Sequence, residues 1–366
     1  QQNVIEFYKE KKDNVQLAKA LTTQILYSRY TKQYDEAIAM GDEAIQILLS
    51  HKDIRKPQSI VSNTLATVYN NLATIYYAYG NNESFPQEKR RDLYDKAIEY
   101  GNSSIALYTL AGDTATNSFA QLLSSSATYS FAIGDTDEAI RLSKLALNIL
   151  KSNLGDKHPD IVTPLYSLAV YYFDKRDEEL TNLYYHQALE LQKEVIRTSF
   201  LHMTAATRER YWAMNKYVFE LAPLLAWQFN NNPKVLTDAY NARLMTKGIL
   251  LNSEISLKTY LAKAPKTVQQ QYERLMQVQR EIEDLSIRAS KTKDNEYLVK
   301  EINQKQRYSV QLEYELQKSL KEVGDYTDNM NIMVEDIAAA LKPGEIAVEF
   351  FQMTDPYGND NYYALY

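Results

Sequence analysis

The sequence predicts an all-α chain: a stack of repeated helix pairs, then a helical hairpin, then a short β-hairpin at its end. Three observations carry this expectation. The 366 residues hold only 10 Gly and 9 Pro, few for a loop-rich or all-β design. A pair of small residues seven apart recurs through the first half of the chain, largely at 42-residue steps. From Leu341 the helical pattern gives way to Pro343-Gly344, an apolar run Ile346–Phe351 and a turn-rich segment leading to a second aromatic run, which is the signature of a hairpin.

The bulk numbers narrow the function classes. The net charge is −6 and the 41 Lys+Arg are dispersed, so no basic face that would track phosphates is expected, and nucleic acid is not expected as a direct partner. No apolar run approaches the roughly 18–20 residues that a membrane-spanning helix needs. There is no Cys, which excludes disulfides, thiolate metal sites and cysteine nucleophiles within these residues. The chain opens at Gln1 without Met, as a mature end after signal-peptide removal or a cut end would. An exported protein, periplasmic or at the cell surface, is favoured over a cytoplasmic one.

The repeat organises the first 200 residues. The small pair is Ala37 with Ala44, Ala97 with Ser104, Ala139 with Ala146, and Thr181 with Ala188; Ala97, Ala139 and Thr181 follow each other at steps of 42. Upstream of each pair lies a first helix, in LTTQILYSRY, YNNLATIYYAYG, LLSSSATYSFAIG and LYSLAVYYFDKR. Twelve residues before the pair stand Ile25, Ala127 and Ala169, at the points where two helices would cross; Ala73 stands 24 before Ala97. A twelve-residue insertion near 81–92 accounts for that gap. Small side chains at a crossing let backbones approach, and one such helix pair cannot bury its own apolar face, so the pairs must stack.

These segments resemble tetratricopeptide repeats, and LNILKSNLGDKHPDIVTPLYSLAVYYF is similar to the 42-residue subtype of kinesin light chains, whose repeats are joined by a Gly-x-x-His-Pro-Asp link, here Gly155 to Asp160. The resemblance implies about four repeats over 1–200 in a right-handed superhelical solenoid. His158-Pro159-Asp160 also occurs in the loop of J-domain co-chaperones. Its place in a repeat link instead makes Pro159 the start of a helix with preset φ and Asp160 a carboxylate at that helix's N-terminus.

Residues 201–260 read as a helical cap or adapter pair carrying Trp212 and Trp227, whose expected role is core packing. Residues 261–330 read as an antiparallel helical hairpin: Val268, Tyr272, Leu275, Ile282 and Leu285 make one narrow stripe, and Leu298, Ile302, Leu312, Leu316 and Leu320 the other. The order of parts, with Lys247-Gly248-x-Leu250-Leu251, the short helix MVEDIAAA and then LKPGEIAVEFF, resembles bacterial proteins whose tetratricopeptide repeats precede a CHAT domain, a caspase-like α/β fold. The resemblance implies that 331–366 begins such a domain and that the remainder of its sheet lies beyond Tyr366. It also implies a His/Cys dyad, in which the His would deprotonate the Cys thiol. This chain has no Cys and no His after His202, so no catalytic residue is carried over.

Other chemistry is not signalled. The four histidines (His51, His158, His186, His202) show no metal-ligand spacing, no glycine-rich phosphate loop is present, and the carboxylates alternate with Lys and Arg on helix faces. No cofactor and no metal are expected. What remains is binding of a protein or peptide. In stacked repeats the first helices line the concave groove, which places Thr22, Asn70, Ser124 and Tyr166 in one polar ladder and Lys19, Thr67, Gln121 and Thr163 in another. Such ladders suit an extended peptide, with tyrosines adding amphipathic area, although most of the 30 Tyr are expected to pack between helices. The functional expectation is an interaction scaffold or sensor that regulates an attached caspase-like cysteine peptidase domain; the alternative is a stand-alone repeat adaptor.

Overall fold

The computed structural model describes residues 2–56, 58–200, 203, 205–247, 249, 261–291, 296–323, 332–354 and 360–365. The chain divides into two compact units, Gln1–Ala188 and Leu189–Tyr366.

The first unit is a stack of tetratricopeptide-like helix pairs. After α1 (Gln2–Lys11) come α2 (Asn14–Thr31) with α3 (Tyr34–Leu49), α4 (Ile60–Gly80) with α5 (Gln87–Ala111), α6 (Asn117–Ala132) with α7 (Thr136–Leu154), and α8 (Val162–Asp174) with α9 (Glu178–Phe200); the division between units falls within α9. Each small residue predicted at a crossing is fully enclosed: Ala37 and Ala44, Ala97 and Ser104, Ala139 and Ala146, Thr181 and Ala188 all have 0% exposure, as do Ile25, Ala73, Ala127 and Ala169. Larger residues fill the space beside them, as where Leu17, Leu21, Leu48, Val61, Leu65 and Leu72 form one cluster between α2, α3 and α4.

Three of the four turns within pairs share one geometry. One or two residues past the first helix the chain turns left-handed (Lys32 φ 58, Gly134 φ 88, Arg176 φ 58), and the next residue's N–H reaches back to the helix: Gln33 to the Ser28 carbonyl, Asp135 to Ser130, Asp177 to Tyr172, at 2.9–3.0 Å. This is the closure that ends a helix by satisfying its last carbonyls. Asp135 and Asp177 then cap the following helix through side-chain oxygens that accept from Glu138 N–H (3.1 Å) and Leu180 N–H (3.0 Å).

The second pair departs from that pattern. Its extra residues form a longer connection, Asn81–Pro86, and about two additional turns at the start of α5, which begins ten residues before Ala97 rather than three. Arg90 Nε donates to the Gly80 carbonyl (3.0 Å) and Tyr94 Oη to Asn81 Oδ1 (2.8 Å), so the added turns satisfy the end of α4.

Between pairs, two links use a histidine as a cap. His51 Nδ1 accepts from Asp53 N–H and His158 Nδ1 from Asp160 N–H, both at 3.2 Å, at the heads of the 3-10 turns Lys52–Arg55 and Pro159–Ile161. Pro159 therefore opens a 3-10 turn that runs directly into α8, and the residue that satisfies the free N–H is His158.

The second unit holds α10 (Ala205–Asn215), α11 (Tyr217–Glu220), α12 (Ala222–Gln228), α13 (Pro233–Thr246), α14 (Lys266–Lys291), α15 (Glu296–Val323), α16 (Val334–Ala340), β1 (Glu349–Thr354) and β2 (Asp360–Leu365). α14 and α15 form the antiparallel hairpin. Leu275 and Val278 pack with Leu312 and Leu316, Leu285 and Ala289 with Leu298, and Lys305 Nζ meets Glu281 Oε2 at 2.7 Å. Tyr272, Ile282 and Ile302 are partly buried against these clusters. The side chain of Leu320, together with Gly248, Leu250, Leu251 and His202, lies outside the described residues. Trp212 packs on Phe219 with ring centroids 5.3 Å apart.

β1 and β2 pair antiparallel, with Glu349 opposite Leu365 and Thr354 opposite Asp360. The first strand starts three residues later than the apolar run. Ile346 and Ala347 lie ahead of the paired residues, and Ile346 is 75% exposed.

Candidate peptide-binding site

The two polar ladders sit three and six residues before the crossing points, on α2, α4, α6 and α8. The outer ladder is open: Thr67, Gln121 and Thr163 are exposed and Lys19 is half-buried. Neighbouring positions on the same helices, such as Leu65, Ala66 and Val68 or Leu122 and Leu123, are buried, so these faces turn outward at one position per turn. The inner ladder is more enclosed. Asn70, Ser124 and Tyr166 are half-buried, whereas Thr22 is 7% exposed and donates its hydroxyl to the Ala18 carbonyl (2.6 Å). Thr22 thus belongs to the wall, where its own carbonyl accepts from Asn71 Nδ2 (3.1 Å).

Asn70 differs from its ladder mates because its Oδ1 is shut off from solvent and accepts no hydrogen bond. Ser124 and Thr67 donate to the carbonyls of Ala120 (3.0 Å) and Asn63 (2.9 Å), which leaves their oxygens as acceptors.

A cavity of about 220 Å3 adjoins the outer ladder. Its walls come from the start of α4 (Ser62, Asn63, Ala66, Thr67), the end of α5 (Leu107, Tyr108, Ala111), Asp113, Thr116 and Ser118. Gly112, left-handed at φ 74, ends α5 and turns Asp113 to the cavity. Burial pushes the Tyr108 phenol above its ordinary value, the Asp113 charge adds to this, and a hydrogen bond with Ser118 acts against it. Sequence periodicity missed Asp113, Tyr108 and Ser118, because they lie in or beside a link and not at a fixed offset from the crossing residues.

Tyrosines crowd the packing beside the first two pairs. Tyr76 stacks on Tyr100 (5.4 Å, 13°), with Tyr69 tilted at 5.9 Å. Burial, then the neighbouring Tyr76 and the charges of Asp42 and Glu99, push Tyr100 up to about 12.

In the second unit, α13 holds both following elements. Asn241 Oδ1 accepts from Val334 N–H (2.8 Å) at the head of α16, Arg243 Nη2 donates to the Phe350 carbonyl (3.2 Å), and Lys247 Nζ meets Glu349 Oε1 (2.9 Å). Phe351 is buried, while Phe350 and Tyr362, on the opposite face of the hairpin, are 66% and 77% exposed. An apolar cavity of about 700 Å3 lies between α12, α13, α16 and the hairpin, lined by residues including Trp227, Leu236, Ile337 and Phe351. Trp227 is partly buried in the wall of this cavity.

Among the described residues no group of three His, Asp or Glu is placed to hold a metal ion, and no helix is long and apolar enough to cross a membrane.

No protein-family model matches the chain. No curated protein matches it either. Solved structures do. BtubC (BKLC) from P. vanneervenii is 15% identical with a TM-score of 0.48, over 68% of this chain and 89% of that one. A Podosopora anserina putative kinesin light chain with nearly identical TPR-like repeats is 14% identical with a TM-score of 0.44, over 64% of this chain and 97% of that one. These likenesses stand beside the repeat geometry and carry no statement about what this chain binds.

Proposed function

We propose that the chain is a protein-interaction scaffold whose repeat groove holds an extended segment of a partner protein, and that it regulates a caspase-like cysteine peptidase domain of the CHAT type continuing from its β-hairpin. One observation carries the binding part: Thr67, Gln121 and Thr163 stand exposed at the same helical position of three successive first helices, with Asn70 and Ser124 one turn further on. Repeated polar positions of this kind offer hydrogen bonds at regular intervals to an extended backbone.

The peptidase part rests on the hairpin. Its Phe351 face is covered, and its other face exposes two large aromatic rings, Phe350 and Tyr362, an apolar surface that a further layer of such a domain would cover. The attached domain would supply the further strands and the His/Cys dyad. Intact mass of the endogenous protein tests it. A mass well above 42.3 kDa with a sheet-forming segment bearing His and Cys supports the peptidase, and a mass near 42.3 kDa supports a stand-alone adaptor. The groove is tested by selecting random dodecapeptides on the full chain and repeating the selection with Asn70 and Gln121 both changed to Ala. Loss of the enriched peptides supports the groove; the same peptides at the same enrichment would remove it.

A further inference from the structure

We propose that the cavity between α4, the end of α5 and the start of α6 receives one basic side chain, lysine or arginine, of the bound partner, with Asp113 as its counter-ion. This rests on the peptide-groove reading, since Thr67 belongs both to the outer ladder and to the cavity wall.

The chemistry of the walls selects the ligand. Asp113 brings a half-buried carboxylate, an acceptor only, and no described Lys, Arg or His pairs with it. No cationic residue lines the cavity. The Thr67 hydroxyl already donates to Asn63, so its oxygen faces outward as a second acceptor, and Thr116 spends its hydroxyl on the Asp113 carbonyl (3.1 Å) and the Phe119 N–H (3.2 Å). The cavity therefore has more acceptors than free donors, with one uncompensated negative charge. That combination favours a donor-rich cation and opposes a carboxylate or phosphate. Leu107, Ala66 and Ala111 add an apolar strip suited to the methylene stem of Lys or Arg. The volume of about 220 Å3 equals the liquid share of roughly seven waters, enough for one long side chain and too small for a folded element.

The test uses the full chain displayed against random dodecapeptides, followed by fluorescence-polarisation titration of the best enriched peptide and of its Lys→Gln (or Arg→Gln) form. The wild type is expected to enrich a basic residue at one fixed position and to bind the basic peptide about tenfold more tightly than its Gln form. Asp113→Asn, with unchanged melting, is expected to bring that ratio to within about twofold, and Asp113→Lys to select an acidic residue there. Enriched peptides that depend on Gln121 but show no basic preference, or a tenfold ratio that persists in Asp113→Asn, would overturn this inference and leave the groove standing. If no peptide is enriched at all, the groove reading fails and this inference with it.

Discussion

Leu72 on α4 presses against the backbone of Gly41 on α3: a β-carbon built on Gly41 would lie 2.4 Å from Leu72 Cδ2 and 2.7 Å from its Cγ. Leu72 has 0% exposure, so its isobutyl group has nowhere to retreat. The first two pairs therefore dock through a glycine, at a position that Gly101, Ser143 and Tyr185 occupy in the later pairs. Gly41→Ala is expected to lower stability by about 1–3 kcal/mol, read as a shift of the first urea transition. Gly101→Ala is the control. Its added carbon would lie 3.1 Å from Ser126 Oγ and at ordinary contact, 3.7 and 3.8 Å, from the Tyr129 ring; the hydroxyl can turn aside, so the gain in helix propensity offsets the crowding and the change stays within about 1 kcal/mol.

Two of the three matching turns carry a side chain in a left-handed position. Lys32 and Arg176 have φ 58 where the third turn has Gly134. A β-carbon there crowds the following carbonyl. Arg176→Gly and Lys32→Gly should each stabilise the chain by about 0.5–1 kcal/mol, raising the melting temperature. A fall in melting temperature for both would mean that the side chains carry contacts outweighing that relief.

The histidine caps give a local prediction. His158 Nδ1 accepts the Asp160 N–H, so His158→Ala leaves that donor free and should cost about 1 kcal/mol, whereas His158→Asn should recover most of it. Amide hydrogen exchange at Asp160, in the turn ahead of α8, reads this directly. Unchanged protection in His158→Ala would mean that water or a neighbouring group replaces the ring.

Alkaline pH should undo the tyrosine packing in a defined window. The phenols of Tyr69, Tyr76, Tyr77, Tyr129 and Tyr171 are all raised, chiefly by burial, and Tyr100 is pushed up to about 12. Because the folded values lie above the unfolded value of 10.0, the native state holds these protons more tightly. Their contribution is intact below pH 10 and is lost as pH rises toward 12. Phenolate absorbance should therefore lag in the native chain relative to the denatured one, and the midpoint in urea should fall across that window. Tyr100→Phe should remove part of the lag.

Much of the fold was legible because small residues at crossings leave a periodic trace. Ala37, Ala97, Ala139 and Thr181 marked the helix pairs, and all four are fully buried. The stripe Val268–Leu285 likewise marked the hairpin. Less legible was whatever depends on a partner element rather than on spacing. The strand begins at Glu349, because pairing with Leu365 sets its start and the apolar run alone does not. Thr22 shares its offset with Asn70 and Ser124, yet the wall of the first pair encloses it, and offset cannot report how deep a position lies. Asp113 escaped notice because a link residue has no helical period, and only the fold brings it beside Tyr108 and Thr67.

The central claim is that the exposed polar ladder of α4, α6 and α8 is a peptide-binding surface. The most direct measurement is the dissociation constant of one selected dodecapeptide for the wild type and for the variant in which Asn70 and Gln121 are both Ala, each checked for the same melting temperature. The account predicts at least about tenfold weaker binding in the variant, as the loss of two or more hydrogen bonds to an extended backbone requires. Equal affinity in the two proteins would contradict it.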